Sequence, residues 1–245
     1  MGAVKHDRFD DAPSWLVDEV EGAVAPHLRQ EFADRVAREP VLVARQGIFT
    51  EQGRTFAYEL SFRSPAHHPE QVSGWGPRQH ERATAHVLSA AFGRANLERL
   101  ARGRMLFVRC PRAYLVGELP LPERPDRLVI ELNDSDSADA DVVAGIRRLR
   151  TQGFRIVLPG FADRPTQREL LPLADFVKID VRDLDVEGEP MVRAARGRGA
   201  RVVGEYVENP RDFRHARDLG LTLFQGNLLE RAAIVDRSVA RPVHG

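Results

Sequence analysis

Phe176-Val177-Lys178-Ile179-Asp180 sets an ammonium and a carboxylate at the end of an apolar run. Lys178 is one of only two lysines, with Lys5, among 36 Lys+Arg. Lysine is a compact point charge and arginine a planar fork, so the exception in an arginine-rich chain is informative. The run from Leu173 to Ile179 reads as a buried strand. Lys178 and Asp180 then emerge at its C-terminal end, where α/β folds place their chemistry. The local pattern fits a simple strand-end ion pair equally well. Other expected strands also end in polar residues: Glu59, Arg63, Arg109, Glu131, Glu205 with Glu208, and Gln225. In a barrel these share one mouth. Carboxylates gathered in a partly desolvated cleft repel one another. Mg²⁺ or Mn²⁺, which prefer oxygen ligands, would relieve that repulsion. So would an internal network of ion pairs. Phosphoryl chemistry and a structural charge network both follow from these residue types.

The elements that must position these residues follow from pattern and punctuation. Pro13 to about Arg38 carries Leu16, Val20, Val24, Leu28, Phe32 and Val36 at helical spacing, broken at Pro26. This arm either caps the domain's own base or pairs with another chain. From Val41 the texture becomes strand–helix alternation. Strands are expected at Val41–Gln46, Thr55–Arg63, Met105–Val108, Leu128–Ile130, Phe154–Leu158, Arg201–Gly204 and Leu221–Gln225, besides the Lys178 strand. Helices are expected at Gln79–Ala101, after a cap at Ser137, near Thr166–Leu171, Glu189–Arg198 and Asp212–Leu219, and at Leu229–Ile234. Ser64 to Pro77 reads as loop. About eight apolar strands with helical crossovers imply a parallel sheet, and a closed (β/α)8 barrel fits that count. An open doubly wound sheet is the alternative. No Gly-x-Gly-x-x-Gly or P-loop follows the first strand.

Bulk properties narrow the classes. Across 245 residues the formal net charge is zero, so no global field draws the chain to nucleic acid or an anionic membrane. No run of 18 apolar residues suggests a transmembrane helix. Residues 1–12 read as disordered and unlike a secretion signal. The single cysteine, Cys110, forms no internal disulfide, excludes Cys-rich zinc sites and fits a cytoplasmic setting. His67-His68, Trp15 and Trp75 read as surface or packing residues, and Arg193–Arg201 as a solvated helix face.

Taken in order, the motifs resemble the EAL domains, which hydrolyse or bind cyclic di-GMP. The resemblance covers most of residues 41–232. It is carried by Val43-Ala44-Arg45-Gln46, by Tyr58-Glu59-Leu60-Ser61-Phe62-Arg63, by Ile130-Glu131-Leu132-Asn133 and by Phe176 to Asp180. Gly204-Glu205-Tyr206-Val207-Glu208 and Phe224-Gln225-Gly226-Asn227 complete it. The opening motif is most similar to EAL domains that precede an HDOD domain. The resemblance implies a TIM-like barrel of EAL type over residues 41–235, with a helical arm at 1–40 and a tail at 236–245. It implies metal-ligand roles for Glu59, Glu131 and Asp180, in a two-metal clamp on a phosphodiester. Lys178 would contact water or phosphate, Glu205 would act as base or metal ligand, and Glu208 would steady a neighbouring loop. Gln225 would be the site glutamine and Arg63 a ligand-phosphate contact.

The departures fall on the metal ligands. Arg109 stands where the family has an asparagine ligand, and Pro159-Gly160 stands where it has paired aspartates. A guanidinium repels a metal, and two hard oxygen ligands are absent. The expected outcome is a degenerate domain without phosphodiesterase activity and without a cofactor. Mg or Mn would enter only at a residual site of Glu59, Glu131 and Asp180. Arg109 is expected to replace the metal charge by a bidentate pairing with Glu59 and Glu131, and Lys178 to balance Glu205 or Asp180. Three functions remain open: a cyclic di-GMP-binding sensor using Arg63, Lys178, Glu208 and Gln225; a protein-interaction scaffold, acting through the arm or as a homodimer, that binds no nucleotide; and an active phosphodiesterase. No nucleic-acid polymer or membrane partner is expected.

Overall fold

The computed structural model describes residues 42–63, 76–93, 97–133 and 138–236. The helical arm, the His67-His68 loop, Trp15, Trp75, Ser137 and the end of the tail lie outside the described residues.

Eight strands close a barrel: β1 (Leu42–Thr50), β2 (Thr55–Arg63), β3 (Met105–Arg109), β4 (Leu128–Glu131), β5 (Arg155–Leu158), β6 (Phe176–Asp180), β7 (Arg201–Glu205) and β8 (Leu223–Phe224). The order β2-β3-β4-β5-β6-β7-β8-β1 returns to β2 through the β1–β2 pairing. Strands β2 to β8 run parallel, because each crossover carries helix back along the outside. These crossover helices are α1 (Pro77–Phe92), α2 (Leu97–Ala101), α3 (Arg112–Val116), α4 (Ala140–Thr151), α5 (Pro165–Leu170), α6 (Leu184–Arg196) and α7 (Pro210–Asp218).

Four expectations need correction. The sheet is not wholly parallel: β1 is antiparallel to both β2 and β8. A tight turn at Glu51–Arg54 joins β1 to β2, and so short a link permits only an antiparallel pair. The expected helix at Leu229–Ile234 is instead a loop followed by strand β9 (Ala233–Asp236), antiparallel to β1 at Val43–Arg45. Its apolar residues pair with β1's remaining edge, which outweighs local helical spacing. The expected helix Gln79–Ala101 divides into α1 and α2, with Gly93 closing the first. The cap of α4 is Asp139, whose side chain accepts from the N–H groups of Asp141 and Val142.

The barrel interior follows from the two-residue period of a strand. Ile48, Ala57, Phe107, Val129, Val157, Phe176, Val203 and Leu223 form one buried apolar layer, with one residue from each strand. Phe107 and Phe176 meet edge to face at 5.1 Å. The intervening residues, including Leu60, Leu106, Ile130, Ile156, Val177 and Ile179, point outward into a second core with the helices.

Candidate functional site: a charge cage at the barrel mouth

Two residues further towards the mouth on each strand lies a second ring. Its members are Gln46, Glu59, Arg109, Glu131, Pro159, Lys178, Glu205 and Gln225. Period-two alternation puts each on the inner face above its apolar neighbour. Strand pairing sets Gln46 beside Glu59 and Arg109 beside Glu131. Pro159 is the one member without a polar side chain.

Lys178 is the hub. Its side chain is fully buried, and Nζ lies 2.6 Å from Glu59 Oε2, 2.6 Å from Glu131 Oε2 and 3.1 Å from Glu205 Oε1. Burial opposes the ammonium's charge, but the carboxylates of Glu131, Glu205 and Glu59 outweigh it and hold its pKa well above the ordinary lysine value. Burial would likewise raise Glu59. The charge and hydrogen bond of Lys178, with a hydrogen bond from Gln225, bring Glu59 down instead to about 2. Gln225 Nε2 donates to Glu59 Oε2 at 2.8 Å and to Gln46 Oε1 at 3.1 Å. Its own Oε1 is buried without a hydrogen-bond partner among the described residues.

Arg109 supplies the second cation. Its Nε and Nη2 both donate to Glu131 Oε1, at 3.1 and 2.7 Å. One expectation is thereby corrected. Both donors meet a single oxygen of Glu131 rather than pairing fork on fork, and the Arg109 charge also lowers the Glu59 pKa. Glu131 is buried whereas half of the Arg109 side chain remains exposed, so the guanidinium covers the cage from above. Three carboxylates face two cations, leaving one negative charge in excess. The excess settles on Glu205. Burial, with Glu131 and Glu59 nearby, pushes it up to about 7 against the pull of Lys178.

Asp180 stands apart: of the two partners expected for Lys178, Glu205 is the one it meets. The Asp180 carboxylate accepts from the Arg182 backbone N–H and from Arg182 Nε, each at 2.9 Å, and from Arg182 Nη2. Burial raises the Asp180 pKa, but the Arg182 hydrogen bonds outweigh it and the net shift is downward. Glu59, Glu131 and Asp180 are therefore not assembled into one ligand set. Among the described residues no group of three His, Cys, Asp or Glu is arranged to hold a metal. The Pro159-Gly160 turn keeps its shape by other means. Gln167 Nε2 donates to the Gly160 carbonyl at 2.8 Å, and Phe161 N–H donates to the Lys178 carbonyl at 2.9 Å.

At the rim, Arg63 donates to Ser61 Oγ and to the Phe62 carbonyl. Asn227 Nδ2 donates to both oxygens of Glu208, at 3.1 and 3.0 Å, tying the loops after β7 and β8 together. Sequence reasoning gave no role to Gln46, Arg182, Tyr206 or Glu230. Period-two counting along β1 would have found Gln46. Arg182, two residues past Asp180, was legible as a local pair. Glu230, whose Oε2 accepts from Gly47 N–H, has no sequence signal. A cavity of about 640 Å³ opens beside α1, lined by Arg78, Leu88, Phe92, Tyr114 and Leu121, and none of the mouth residues borders it.

A family profile described as EAL domain matches residues 115–232, from α3 to the loop before β9. Over these residues the chain matches the EAL family. The cyclic di-GMP phosphodiesterase CdgJ of Vibrio cholerae is 28% identical over 225 residues, 89% of this chain and 50% of CdgJ. The chain spans about half the length of the curated relatives it matches. Among solved structures, the phosphodiesterase PaMucR in complex with c-di-GMP has a TM-score of 0.68 at 19% identity, covering 80% of this chain and 97% of that one. BlrP1 of Klebsiella pneumoniae, with manganese and cyclic di-GMP, has a TM-score of 0.63 at 23% identity, covering 80% and 57%. These likenesses establish the fold. Among the described residues no helix is long and apolar enough to cross a membrane.

Proposed function

We propose that this EAL domain binds cyclic di-GMP without hydrolysing it. The observation that carries the reading is the composition of the mouth ring. Where a two-metal site needs hard oxygen ligands, the ring has a guanidinium at Arg109 and an apolar ring at Pro159. The remaining carboxylates are engaged by cations of the chain itself: Lys178 by ion pairs to three of them, Arg109 on Glu131, and Arg182 on Asp180. This donor set does not fit the metal pair. The vestigial Glu59, Lys178 and Glu205 have a structural task in its place.

Ligand binding is supported by what faces outward. Arg63, Arg109 and Arg182 are exposed or half-exposed at the mouth, while most of the acids lie beneath them. Guanidinium groups suit phosphate oxygens. Lys178 is enclosed, so phosphate contact falls to the arginines.

Two measurements test the reading. Calorimetry with cyclic di-GMP is expected to give saturable heat without added metal. No heat at high micromolar ligand would refute binding and favour the interaction scaffold. A hydrolysis assay with Mg²⁺ or Mn²⁺ is expected to give no product, and turnover would refute inactivity.

A further inference from the structure

Tyr206 has an unusual backbone for an aromatic residue. Its φ is +57°, in the left-handed region, where a side chain crowds the backbone and glycine does not. Three contacts hold the turn there. Val207 N–H donates to the Gln225 carbonyl at 3.0 Å, and Leu228 N–H donates to the Val207 carbonyl at 3.1 Å. Gly226 lies flat on the Val207 backbone, so close that a Cβ at 226 would meet the Val207 oxygen at 2.2 Å. The turn is therefore fixed whatever residue stands at 206. Strain of this kind concentrates at ligand sites.

The side chain is placed as well as the backbone. Tyr206 is 53% exposed, the most exposed large hydrophobic side chain among the described residues. The Arg182 guanidinium stacks on its ring at 4.6 Å from the centroid, and Asp180 holds that guanidinium by two of its nitrogens. The phenol also feels the mouth charges. Partial burial raises the phenol pKa, and Glu205, Asp180 and Glu59 add to the rise while Arg109 opposes it. A rigid aromatic braced by a locked cation stands beside a mouth that exposes the guanidinium groups of Arg63, Arg109 and Arg182, with Glu208 at its rim.

We propose that Tyr206, braced by Arg182 and Asp180, is the stacking platform for the purine base of a nucleotide bound at the barrel mouth. This deepens the nucleotide-binding reading and rests on it for the location of the phosphate. Base–aromatic stacking needs an exposed ring face with little freedom to lose. The fixed turn and the Asp180–Arg182 brace provide that rigidity. The phosphate would meet the arginines of the rim while the base lies on the ring.

The test titrates the full chain and its Tyr206→Gly and Tyr206→Phe variants by calorimetry with cyclic di-GMP, GMP and inorganic phosphate. Glycine accepts the left-handed turn, so Tyr206→Gly is expected to melt no more than about 2 °C below the parent. Its nucleotide affinity is expected to fall about tenfold or more, while Tyr206→Phe keeps it. Phosphate, which has no ring, is expected to bind all three proteins alike. Equal cyclic di-GMP affinity in parent and Tyr206→Gly would overturn the platform and leave the proposed function standing. GMP binding that depends on Tyr206, with no binding of cyclic di-GMP, would support the platform and overturn the proposed function. No binding of either nucleotide by the parent overturns both.

Discussion

The apolar layer and the charged ring above it come from the same eight strands, two residues apart, yet different forces hold them. In the lower layer Phe107, Phe176 and their neighbours gain by leaving water. Arg201 stacks its guanidinium 4.3 Å above the Phe56 ring, and partial burial lowers its pKa. In the upper ring burial is a cost, and Lys178 and Arg109 offset it for Glu131, Glu59 and Glu205. An apolar layer tolerates an imprecise partner. A charge cage does not, because each unpaired charge carries its full desolvation cost. The same strand geometry thus yields a sturdy floor and a conditional mouth.

The sharpest way to break this comparison is to empty one position in each layer. Phe107→Ala and Lys178→Met should each lose about 3–5 kcal/mol in urea unfolding at pH 8. Only the Lys178→Met loss should shrink as pH falls, because protonation relieves the stranded carboxylates. Equal pH dependence in the two variants would refute the distinction.

Glu205 comes next. Its pKa in the fold, about 7, lies above the ordinary 4.5, so the folded state binds a proton that the unfolded state releases. Its penalty is full above pH 7, falls as pH drops from 7 towards 4.5, and is absent below. Glu205→Gln should therefore stabilise the chain at pH 8, on the order of 3 kcal/mol, and flatten that slope. Glu59 works in the opposite sense. Its pKa of about 2 lies below 4.5, so its contribution is present above 4.5 and is lost as pH falls towards 2. The Glu205→Gln chain should keep that acid limb.

Arg109→Ala should cost less, about 1 kcal/mol, because half of its side chain is in water and screened. An unchanged melting temperature would remove Arg109 from the cage. The smallest expected effect is that of metal. On the proposed reading, in which the chain's own cations replace the metal, EDTA or added Mg²⁺ should move the melting temperature by less than about 1 °C. A larger shift in differential scanning fluorimetry would restore the metal reading.

Much of the site was legible because strand ends are punctuated. Glu59, Arg109, Glu131, Lys178, Glu205 and Gln225 all emerge at the mouth where apolar runs stop. The direction of β1 was not legible from its own residues, since an antiparallel strand has the same alternation as a parallel one. The β9 segment misled for a related reason: four residues are too few to separate helical from strand spacing.

By itself the sequence determined which residues share the inner face, because period two is local. Only the tertiary structure decided who pairs with whom. Lys178 meets Glu59 across 119 residues of chain, whereas Asp180, two positions away, turns to Arg182. Barrel closure sets those distances, and charge pairing depends on distance in space rather than along the chain.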